Sequence, residues 1–355
     1  MPELFDEIFS KENLLKAYHK ALVAQGKYHK EALVFARNET YYLRRLREVL
    51  YDKTYVFSGY NKFSVYEPKE RVIYAPHFVD KIVQLAIHFV LTPLYLKSFI
   101  KSSYSCLPGR GTLAAVNQVQ SNLFSARSGW GKEAYILKLD VKKFFYSINR
   151  DLLKQIYRQK IKDEDVLWVL DTITDSASSI DAKGLPLGNT TSQLFSNIYM
   201  DRLDQACVRW WGYKYYVRYA DDIIVVLPNK AEAVLARERC TTFLHDKLDL
   251  EINRDKTQVF PLKNGVNAFG YKIRPDYRLL RTDSKQRIKR KVKAIPHLIQ
   301  EGRLTELKAG EMLASWSGHA CNGHCYHFIQ NLVIRYPYLY LDKKGILRLD
   351  AKKVK

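Results

Sequence analysis

The sequence predicts an α+β fold assembled from many helices and several antiparallel strand pairs. Long segments with apolar residues at helical spacing alternate with short β-branched runs, and several of these runs are paired across tight turns. The chain has 355 residues, of which 47% are hydrophobic and 27% charged, an ordinary globular composition. A chain of this length can bury a large core, and we expect two or three subdomains.

The balance of charge points to a polyanionic partner. The chain carries 58 Lys and Arg against 37 Asp and Glu, a formal net charge of +21. This excess is far beyond what solubility requires and favours a nucleic acid. Five scattered cysteines fit a reducing cytoplasm better than a disulfide framework. We expect no membrane partner, because the longest apolar-rich run, 82–96, contains polar residues and Pro93 and the acidic N-terminus lacks a signal-peptide pattern.

The first part of the chain is predicted to contain helices followed by strands. Residues 8–50 show helical spacing with a break near Gly26. β-branched and aromatic runs then predict strands at 55–57, 63–66 and 68–74. Lys69 and Arg71 are two residues apart in the last strand and so project from one face. This pair could clamp a triphosphate, or it could line a solvated edge.

The middle of the chain places an acid at the end of a strand. A buried helix is predicted over 77–100, and a Gly/Pro loop at 102–112 leads into another helix over 113–124. Arg110 in that loop could hold a phosphate near the helix N-terminus. The next apolar strand ends on Asp140. Asp is disfavoured in strands, so this carboxylate needs a partner or a metal.

The second half of the chain is also predicted to alternate between helices and strands. Gly184 and Gly188 flank a proline in a loop whose backbone can approach a ligand closely. Helices are predicted over 151–180, from Ser192 and over 231–248, with a strand, turn and strand over 250–260 and a hairpin over 268–273.

Two adjacent acids mark the strongest candidate site. The residues around Tyr219–Asp222 predict a hairpin turn, since apolar extended runs flank it on both sides. Asp221 and Asp222 at this tip raise each other's pKa, and a hard cation such as Mg²⁺ removes that cost. A plain polar turn is the alternative. With Asp140 the pair forms a three-acid cluster, which is what two Mg²⁺ ions need for in-line phosphoryl transfer.

The C-terminal region is basic and predicted to be helical. Six cations crowd two helical turns and predict contacts to a nucleic-acid backbone, although solvation alone is possible. They are Lys285, Arg287, Lys289, Arg290, Lys291 and Lys293. A second cluster holds five candidate zinc ligands, but their spacing matches no standard finger, so we favour packing. Its members are His319, Cys321, His324, Cys325 and His327.

Taken in order, these motifs resemble the palm of a reverse transcriptase. The resemblance rests on the strand ending at Asp140, the 184–188 loop, Tyr219–Asp222, the Lys256 turn and the Phe269–Gly270–Tyr271 hairpin. It implies a right-hand polymerase fold with fingers, a palm built on an antiparallel sheet, and a helical thumb. The implied divisions are an N-terminal helical segment 1–50, fingers and palm 51–275, and a basic thumb and tail 276–355.

The resemblance also implies roles for individual residues in catalysis. Asp140 and Asp221 would bind two Mg²⁺ ions, with Mn²⁺ as a substitute, while Asp222 lies alongside and the Val141 carbonyl assists. Lys256 matches a lysine proposed as general acid for the departing pyrophosphate. An exposed turn lysine is the alternative for Lys256.

Further roles concern the substrates. Lys69, Arg71, Phe145, Leu187 and Gln193 would contact the incoming dNTP. Phe145 would act as a steric gate against the 2′-hydroxyl, unless it is a core residue. The primer grip would be formed by Phe269, Gly270 and Tyr271.

A finer resemblance is to the reverse transcriptases of diversity-generating retroelements. It rests on Leu187 where most reverse transcriptases have Gln, on Ser192-Gln193 in place of Ser-Pro, and on the stretch 314–319. It implies copying of a template-repeat RNA with errors at template adenines, diversification of a target gene, and a small basic oligomeric accessory protein. The alternatives are an enzyme of a retron, a group II intron or a defence system, and a non-catalytic RNA-binding scaffold.

Overall fold

The computed structural model describes residues 3–25, 30–66 and 70–354. The predicted helix break near Gly26 and the predicted cation Lys69 lie outside the described residues. The first described elements are helices, as the sequence predicts: α1 (Leu4–Ile8), α2 (Lys11–Gln25), α3 (Lys30–Arg37) and α4 (Glu39–Tyr51). Asn38 caps α4, because its side chain accepts a hydrogen bond from the backbone N–H of Tyr41.

A two-stranded ribbon follows, formed by β1 (Tyr60–Val65) and β2 (Arg71–Pro76). The strand predicted over 55–57 is wrong, since these described residues form none. Tyr55 is instead buried, and its hydroxyl donates a 2.7 Å hydrogen bond to Asp80. A side chain held by this tertiary contact overrides the local extended preference.

Helix α5 (Phe78–Leu96) confirms the buried helix that the sequence predicts, and α6 (Thr112–Trp130) confirms the next one. Among the described residues, α5 is the one helix that is long and apolar enough to cross a membrane. It lies inside the fold, where Asp80, Gln84 and Thr92 are buried with its apolar residues. Gln84 accepts a hydrogen bond from the backbone N–H of Thr190, so this buried polar side chain links α5 to the start of the helix at Thr190–Gln205.

The middle of the chain forms a four-stranded antiparallel sheet with helices packed on it. Its elements are β3 (Tyr135–Asp140), α7 (Phe144–Ser147), α8 (Arg150–Arg158), α9 (Glu164–Ser176), α10 (Thr190–Gln205), β4 (Tyr215–Tyr219), β5 (Asp222–Leu227), α11 (Lys230–Leu248) and β6 (Gln258–Pro261). The strand order is β4-β5-β3-β6. Alternate side chains face opposite ways, so Leu137 and Leu139 enter one hydrophobic core while Ile136 enters a second.

The C-terminal part combines a small sheet, three helices and a hairpin. Its elements are β7 (Val266–Ala268), β8 (Tyr271–Ile273), β9 (Arg278–Leu280), α12 (Thr282–Gln300), α13 (Glu306–Ala320), α14 (Tyr326–Arg335), β10 (Leu339–Leu341) and β11 (Leu347–Leu349). The predicted boundary after residue 275 falls between β8 and β9, which pair with each other. The helices were expected and the terminal β10–β11 hairpin was not.

Beneath the β4–β5 turn lies a buried ion pair. Arg218 and Asp204 side chains are each 1% exposed, and the guanidinium donates to both carboxylate oxygens at 2.7 Å. Tyr216 donates a further 2.7 Å hydrogen bond to Asp204. The Arg218 guanidinium also donates to the backbone carbonyl of Ala220, within the turn. The position of this turn is therefore fixed from inside the protein.

We expect Asp204→Ala to lower the free energy of unfolding by about 3–5 kcal/mol, because it leaves the Arg218 charge buried without its partner. Urea denaturation followed by circular dichroism measures this loss. Arg44→Ala, which breaks the exposed Arg44–Glu48 pair, is the control and should leave stability nearly unchanged. Combining Asp204→Leu with Arg218→Met should recover much of the loss. A loss below about 1 kcal/mol for Asp204→Ala would contradict the role given to this pair.

Candidate active site

The β4–β5 hairpin has a two-residue turn, and Asp221 lies at its tip. Tyr219 pairs with Asp222, which leaves Ala220 and Asp221 as the turn residues. Ala220 has φ of 54°, a left-handed conformation usually taken by Gly at the first position of a type II′ turn. Such a conformation costs an alanine about 1–2 kcal/mol. The hydrogen bond from Arg218 to the Ala220 carbonyl holds the turn in this shape.

The three predicted acids converge at the same end of the sheet. Asp140, the last residue of β3, lies directly opposite Asp222, the first residue of β5. The backbone N–H of Val141 donates a 3.3 Å hydrogen bond to the carbonyl of Asp221, so the turn tip is tied to the end of β3. Asp140 is buried, while Asp221 and Asp222 are half-buried. The structure therefore brings together acids that are remote in sequence.

The environment shifts Asp221 and Asp222 toward their neutral forms. Burial raises the pKa of Asp221 to about 6, and the neighbouring Asp222 and Asp140 charges add to this effect. Burial also raises the pKa of Asp222, against the opposing effect of Lys138. The ammonium of Lys138 lies 3.9 Å from Asp222 Oδ1. Lys138 was missed in the sequence, although it precedes Asp140 by two residues and so shares its strand face.

Lys256 neutralises the third acid. Its Nζ lies 2.9 Å from Oδ1 and 3.0 Å from Oδ2 of Asp140. The hydrogen bond to Asp140 raises the pKa of Lys256, so it is protonated at neutral pH, as a general acid must be. The turn carrying Lys256 is anchored by a 2.7 Å hydrogen bond from Asn253 N–H to the Asp140 carbonyl. The structure thus gives Lys256 a specific partner, and its catalytic role stays a prediction.

The carboxylates of this site fit a hard cation whose remaining ligands come from a substrate and from water. Within the described ranges 3–25, 30–66 and 70–354, no three His, Cys, Asp or Glu side chains form a complete metal-binding group. Mg²⁺ seldom uses an all-protein cage, and is usually held by one or two carboxylates together with substrate phosphates and water. Asp140, Asp221 and Asp222 supply such carboxylates, and their charges are partly offset by Lys138, Lys256 and Arg281. Metal coordination by these residues and by the Val141 carbonyl stays a prediction.

The predicted dNTP residues Phe145 and Leu187 lie on connected backbone segments. The N–H of Leu185 donates to the carbonyl of Phe145 at 2.7 Å, and the N–H of Tyr74 in β2 donates to the carbonyl of Leu187 at 2.7 Å. The 184–188 loop therefore joins the short helix α7 to the β1–β2 ribbon. Both side chains are half-buried, so each retains a solvent-facing part.

The two loop glycines are required by packing against the protein itself. A Cβ at Gly184 would lie 2.6 Å from Tyr146 Cα, and one at Gly188 would lie 2.8 Å from Ile73 Cγ2. Both residues also have positive φ. The sequence predicts a close approach to a ligand, and the structure shows a close approach to α7 and β2. Arg71 at the start of β2 and Gln193 in α10 are exposed, and their dNTP contacts stay predictions.

A cleft of about 1090 Å³ opens between the catalytic sheet and the β7–β9 sheet. Its charged lining includes five cations and four acids, namely Lys138, Lys256, Lys272, Arg281, Arg287, Asp140, Asp222, Asp255 and Asp283. Two of the predicted primer-grip residues, Phe269 and Gly270, form the β7–β8 turn, Tyr271 begins β8, and Gly270 reaches the cleft. The Phe269 ring lies 5.2 Å from the Tyr219 ring, next to the catalytic turn. The hairpin is thus placed beside the acids.

The six predicted backbone-binding cations all lie on α12 but do not form one surface. Arg287 lines the cleft, whereas Lys285 and Lys289 lie over the ring of Phe328 at 5.6 Å and 5.5 Å. Arg290 and Lys293 line a separate small cavity with His297. The outcome differs for Arg110, whose guanidinium donates to the carbonyls of Ile100 and Ser103. Arg110 holds its own loop, and its phosphate contact stays a prediction.

The five His and Cys residues near α13 are distributed among packing contacts. His319 contacts Tyr271, the buried Cys325 thiol donates to the Ala320 carbonyl, and the Cys321 thiol lies 3.7 Å from the Gly345 carbonyl. His324 and His327 are exposed. The contacts of His319, Cys321 and Cys325 are of the kind that the packing interpretation predicts.

A comparison with known families identifies the class of protein. The profile of the reverse transcriptase (RNA-dependent DNA polymerase) family matches residues 61–273, which is more than half of the chain. The chain belongs to this family. Its α+β fold is the right-hand polymerase fold, with a catalytic reverse transcriptase domain.

Proteins similar to this chain include a group II intron-encoded protein and a retron reverse transcriptase. Protein YkfC of Escherichia coli (strain K12) is 28% identical over 275 residues, covering 65% of this chain and 70% of that protein. The group II intron-encoded protein LtrA of Lactococcus lactis subsp. cremoris is 22% identical, covering 58% and 45%. The retron Ec48 reverse transcriptase of Escherichia coli is 22% identical, covering 70% and 59%. The chain therefore spans less than two thirds of the latter two proteins.

Among solved structures, the fold is similar to telomerase from Candida albicans in complex with a fragment of telomeric RNA. The TM-score is 0.49 at 14% identity, covering 80% of this chain and 60% of that chain. A likeness at this level carries no information on function.

We expect Asp221→Asn to stabilise the metal-free protein at pH 7.5 and to leave it unchanged at pH 4. The folded state holds the Asp221 proton up to about pH 6, whereas the unfolded chain releases it near pH 4. Stability that this group contributes below pH 4 is therefore lost as pH rises through 6. Because the turn is partly solvated, we expect about 1 kcal/mol and not the full value for two pKa units.

Thermal unfolding in EDTA across this pH range measures the effect. Asp52→Asn, on an exposed acid at the end of α4, controls for the loss of one negative charge. Equal stability of wild type and Asp221→Asn at pH 7.5 would contradict the prediction, because it would mean that the folded protein does not disfavour the charged form of Asp221.

Proposed function

We propose that this protein is an RNA-directed DNA polymerase that copies an RNA template into cDNA. The observation that carries the proposal is the register of Asp140 opposite Asp222, with Asp221 on the adjoining turn. In this arrangement three carboxylates gather at one end of the sheet, and two of them, Asp140 and Asp222, line the cleft of about 1090 Å³. The net charge of +21 supports a tightly bound polyanion whose affinity falls as salt concentration rises.

The proposed mechanism is two-metal phosphoryl transfer. Bound Mg²⁺ supplies a lowered pKa for the primer 3′-hydroxyl and charge neutralisation for the triphosphate. Asp140, Asp221 and Asp222 would hold these ions, and the constrained turn keeps their carboxylates in place. Lys256 carries its proton 2.9 Å from Asp140, which is a suitable place for a general acid toward the leaving pyrophosphate.

Selection of the incoming nucleotide is assigned to the wall formed by Phe145 and Leu187. The Phe145 ring would exclude a 2′-hydroxyl by its bulk, which favours dNTPs over ribonucleotides. Arg71 would neutralise part of the triphosphate charge. The hydrogen bonds that join α7, the 184–188 loop and β2 support a shared pocket, because they keep these segments in contact.

For the biological setting, the relatives favour an enzyme of the group II intron and retron type. LtrA and the retron Ec48 enzyme match across much of this chain. A second candidate is the mutagenic enzyme of a diversity-generating retroelement, acting in the cytoplasm with a small basic accessory protein. The observation that favours it is Leu187, since an alkyl group offers no hydrogen bond to order the nascent base pair.

We expect the Asp221→Ala, Asp222→Ala double variant to lose Mg²⁺-dependent nucleotide incorporation by at least about a thousandfold, since bound metals contribute several kcal/mol. Purified protein with a primed RNA template, dNTPs and Mg²⁺ or Mn²⁺ gives the measurement. Asp255→Ala, an exposed acid of the same cleft, is the matched control. Template binding without incorporation by the wild type would favour a non-catalytic scaffold.

We expect Leu187→Gln to lower misincorporation opposite template adenine by about tenfold, because each restored polar contact contributes on the order of 1–3 kcal/mol of selectivity. Sequencing of the cDNA, with and without an accessory protein, measures the error at each template base. Leu187→Met keeps an apolar side chain and should retain the wild-type error pattern. A wild-type enzyme that copies adenine as faithfully as other bases would exclude the retroelement candidate and leave the intron and retron type.

A further inference from the structure

His319, near the end of α13, lies against the turn that the sequence predicts as the primer grip. The Tyr271 hydroxyl donates a 2.5 Å hydrogen bond to the His319 carbonyl and lies 3.1 Å from His319 Nδ1. The two rings are 4.6 Å apart at their centroids. One residue of the thumb therefore contacts one residue of the hairpin through its backbone, its ring nitrogen and its ring face.

The contacts define the protonation of the His319 ring. The Tyr271 hydroxyl has one proton, which it donates to the carbonyl, so Nδ1 must carry a proton to complete the second hydrogen bond. Burial lowers the pKa of His319, which favours the neutral ring. Nε2 is then unprotonated and faces Gly270. The ring is thus a neutral donor toward Tyr271, with Nε2 directed at the backbone of the turn.

Gly270 is shaped to receive this ring. It has φ of +90°, and Phe269 before it has φ of 52°, as in the type I′ turn of a tight hairpin. A Cβ on Gly270 would lie 2.8 Å from His319 Nε2. The His319 side chain of α13 fills the space above the turn, so there is no room for a side chain at position 270.

The same hairpin is held on its other side by the catalytic sheet. Lys138 Nζ donates a 2.9 Å hydrogen bond to the carbonyl of Asn267 in β7. The Phe269 ring contacts the ring of Tyr219, which borders the catalytic turn. The hairpin is therefore a bridge with the catalytic acids at one end and His319 at the other.

We infer that His319 is a positioning residue that holds the thumb on the β7–β8 turn and so fixes the primer strand relative to the catalytic acids. The inference rests on the proposed polymerase function and adds to it a residue of the thumb. Its action is on the primer–template duplex. Nucleotide contacts at Phe145, Leu187 and Arg71 belong to other elements and should be unaffected.

The first experiment compares His319→Ala with His327→Ala, an exposed histidine of the same region. Two quantities are measured on a labelled primer–RNA duplex: the dissociation rate, and the product length in a single binding event with a heparin trap. We expect about tenfold faster dissociation and shorter products for His319→Ala, with the KM for dNTP within twofold of wild type. Unchanged dissociation, or an equal rise in the KM for dNTP, would overturn the inference.

A second experiment separates positioning from loss of folding. His319→Asn retains an N–H donor near the Nδ1 position and should restore part of the duplex retention, whereas a purely structural defect would be shared by both variants. Gly270→Ala should weaken retention less in the His319→Ala background, because the ring that its Cβ would meet is gone. Strictly additive effects of the two changes would overturn the inference.

These readouts remain distinct from the test of the proposed function. If the wild type incorporated no nucleotide, the polymerase proposal would fail, yet duplex dissociation would still report on His319. If incorporation were normal and His319→Ala retained the duplex as the wild type does, the polymerase proposal would stand and the role of His319 would fall.

Discussion

The buried Arg218–Asp204 ion pair is the interaction on which the catalytic geometry depends. A charge removed from water tolerates little displacement, because any shift leaves it without compensation. The pair lies directly under the catalytic turn and reaches its Ala220 carbonyl. The backbone of Arg218 also exchanges hydrogen bonds with Ser102 and Tyr104, which ties the 102–112 loop to β4. The acids are thus placed by a group that never meets the substrate.

Two lysines lie within 4 Å of carboxylates of the site and offset their charge. Lys256 neutralises Asp140, and Lys138 partly offsets Asp222 from the side of the hairpin. Lys256 acts on Asp221 more weakly than burial and the neighbouring Asp222 and Asp140 charges do, in keeping with the raised pKa of Asp221. The arrangement explains how a cluster of acids can exist in the folded chain before any divalent ion or triphosphate is bound.

The sequence predicted the three-acid cluster because each acid has a strong local signal: Asp140 ends an apolar strand, and Asp221 and Asp222 lie at a hairpin tip. The position of Lys138 beside Asp140 could also have been predicted, because side chains two residues apart in a strand share a face. Arg218 could not be recognised as buried, since its partner Asp204 lies on α10 and only the tertiary fold brings them together. The prediction of a strand over 55–57 was wrong for a related reason, because the Tyr55 hydroxyl donates a hydrogen bond to Asp80 of α5. The contact of His319 with Gly270 likewise depends on the packing of distant elements.

The 184–188 loop has a consequence for how copying accuracy can change. Its path is set by backbone hydrogen bonds to Phe145 and Tyr74 and by two glycines that admit no side chain. None of these constraints involves the side chain at position 187. A single codon there can exchange an alkyl group for an amide while the loop keeps its course. Under the role proposed for Leu187, a change in copying accuracy would therefore not require a change in the path of the loop.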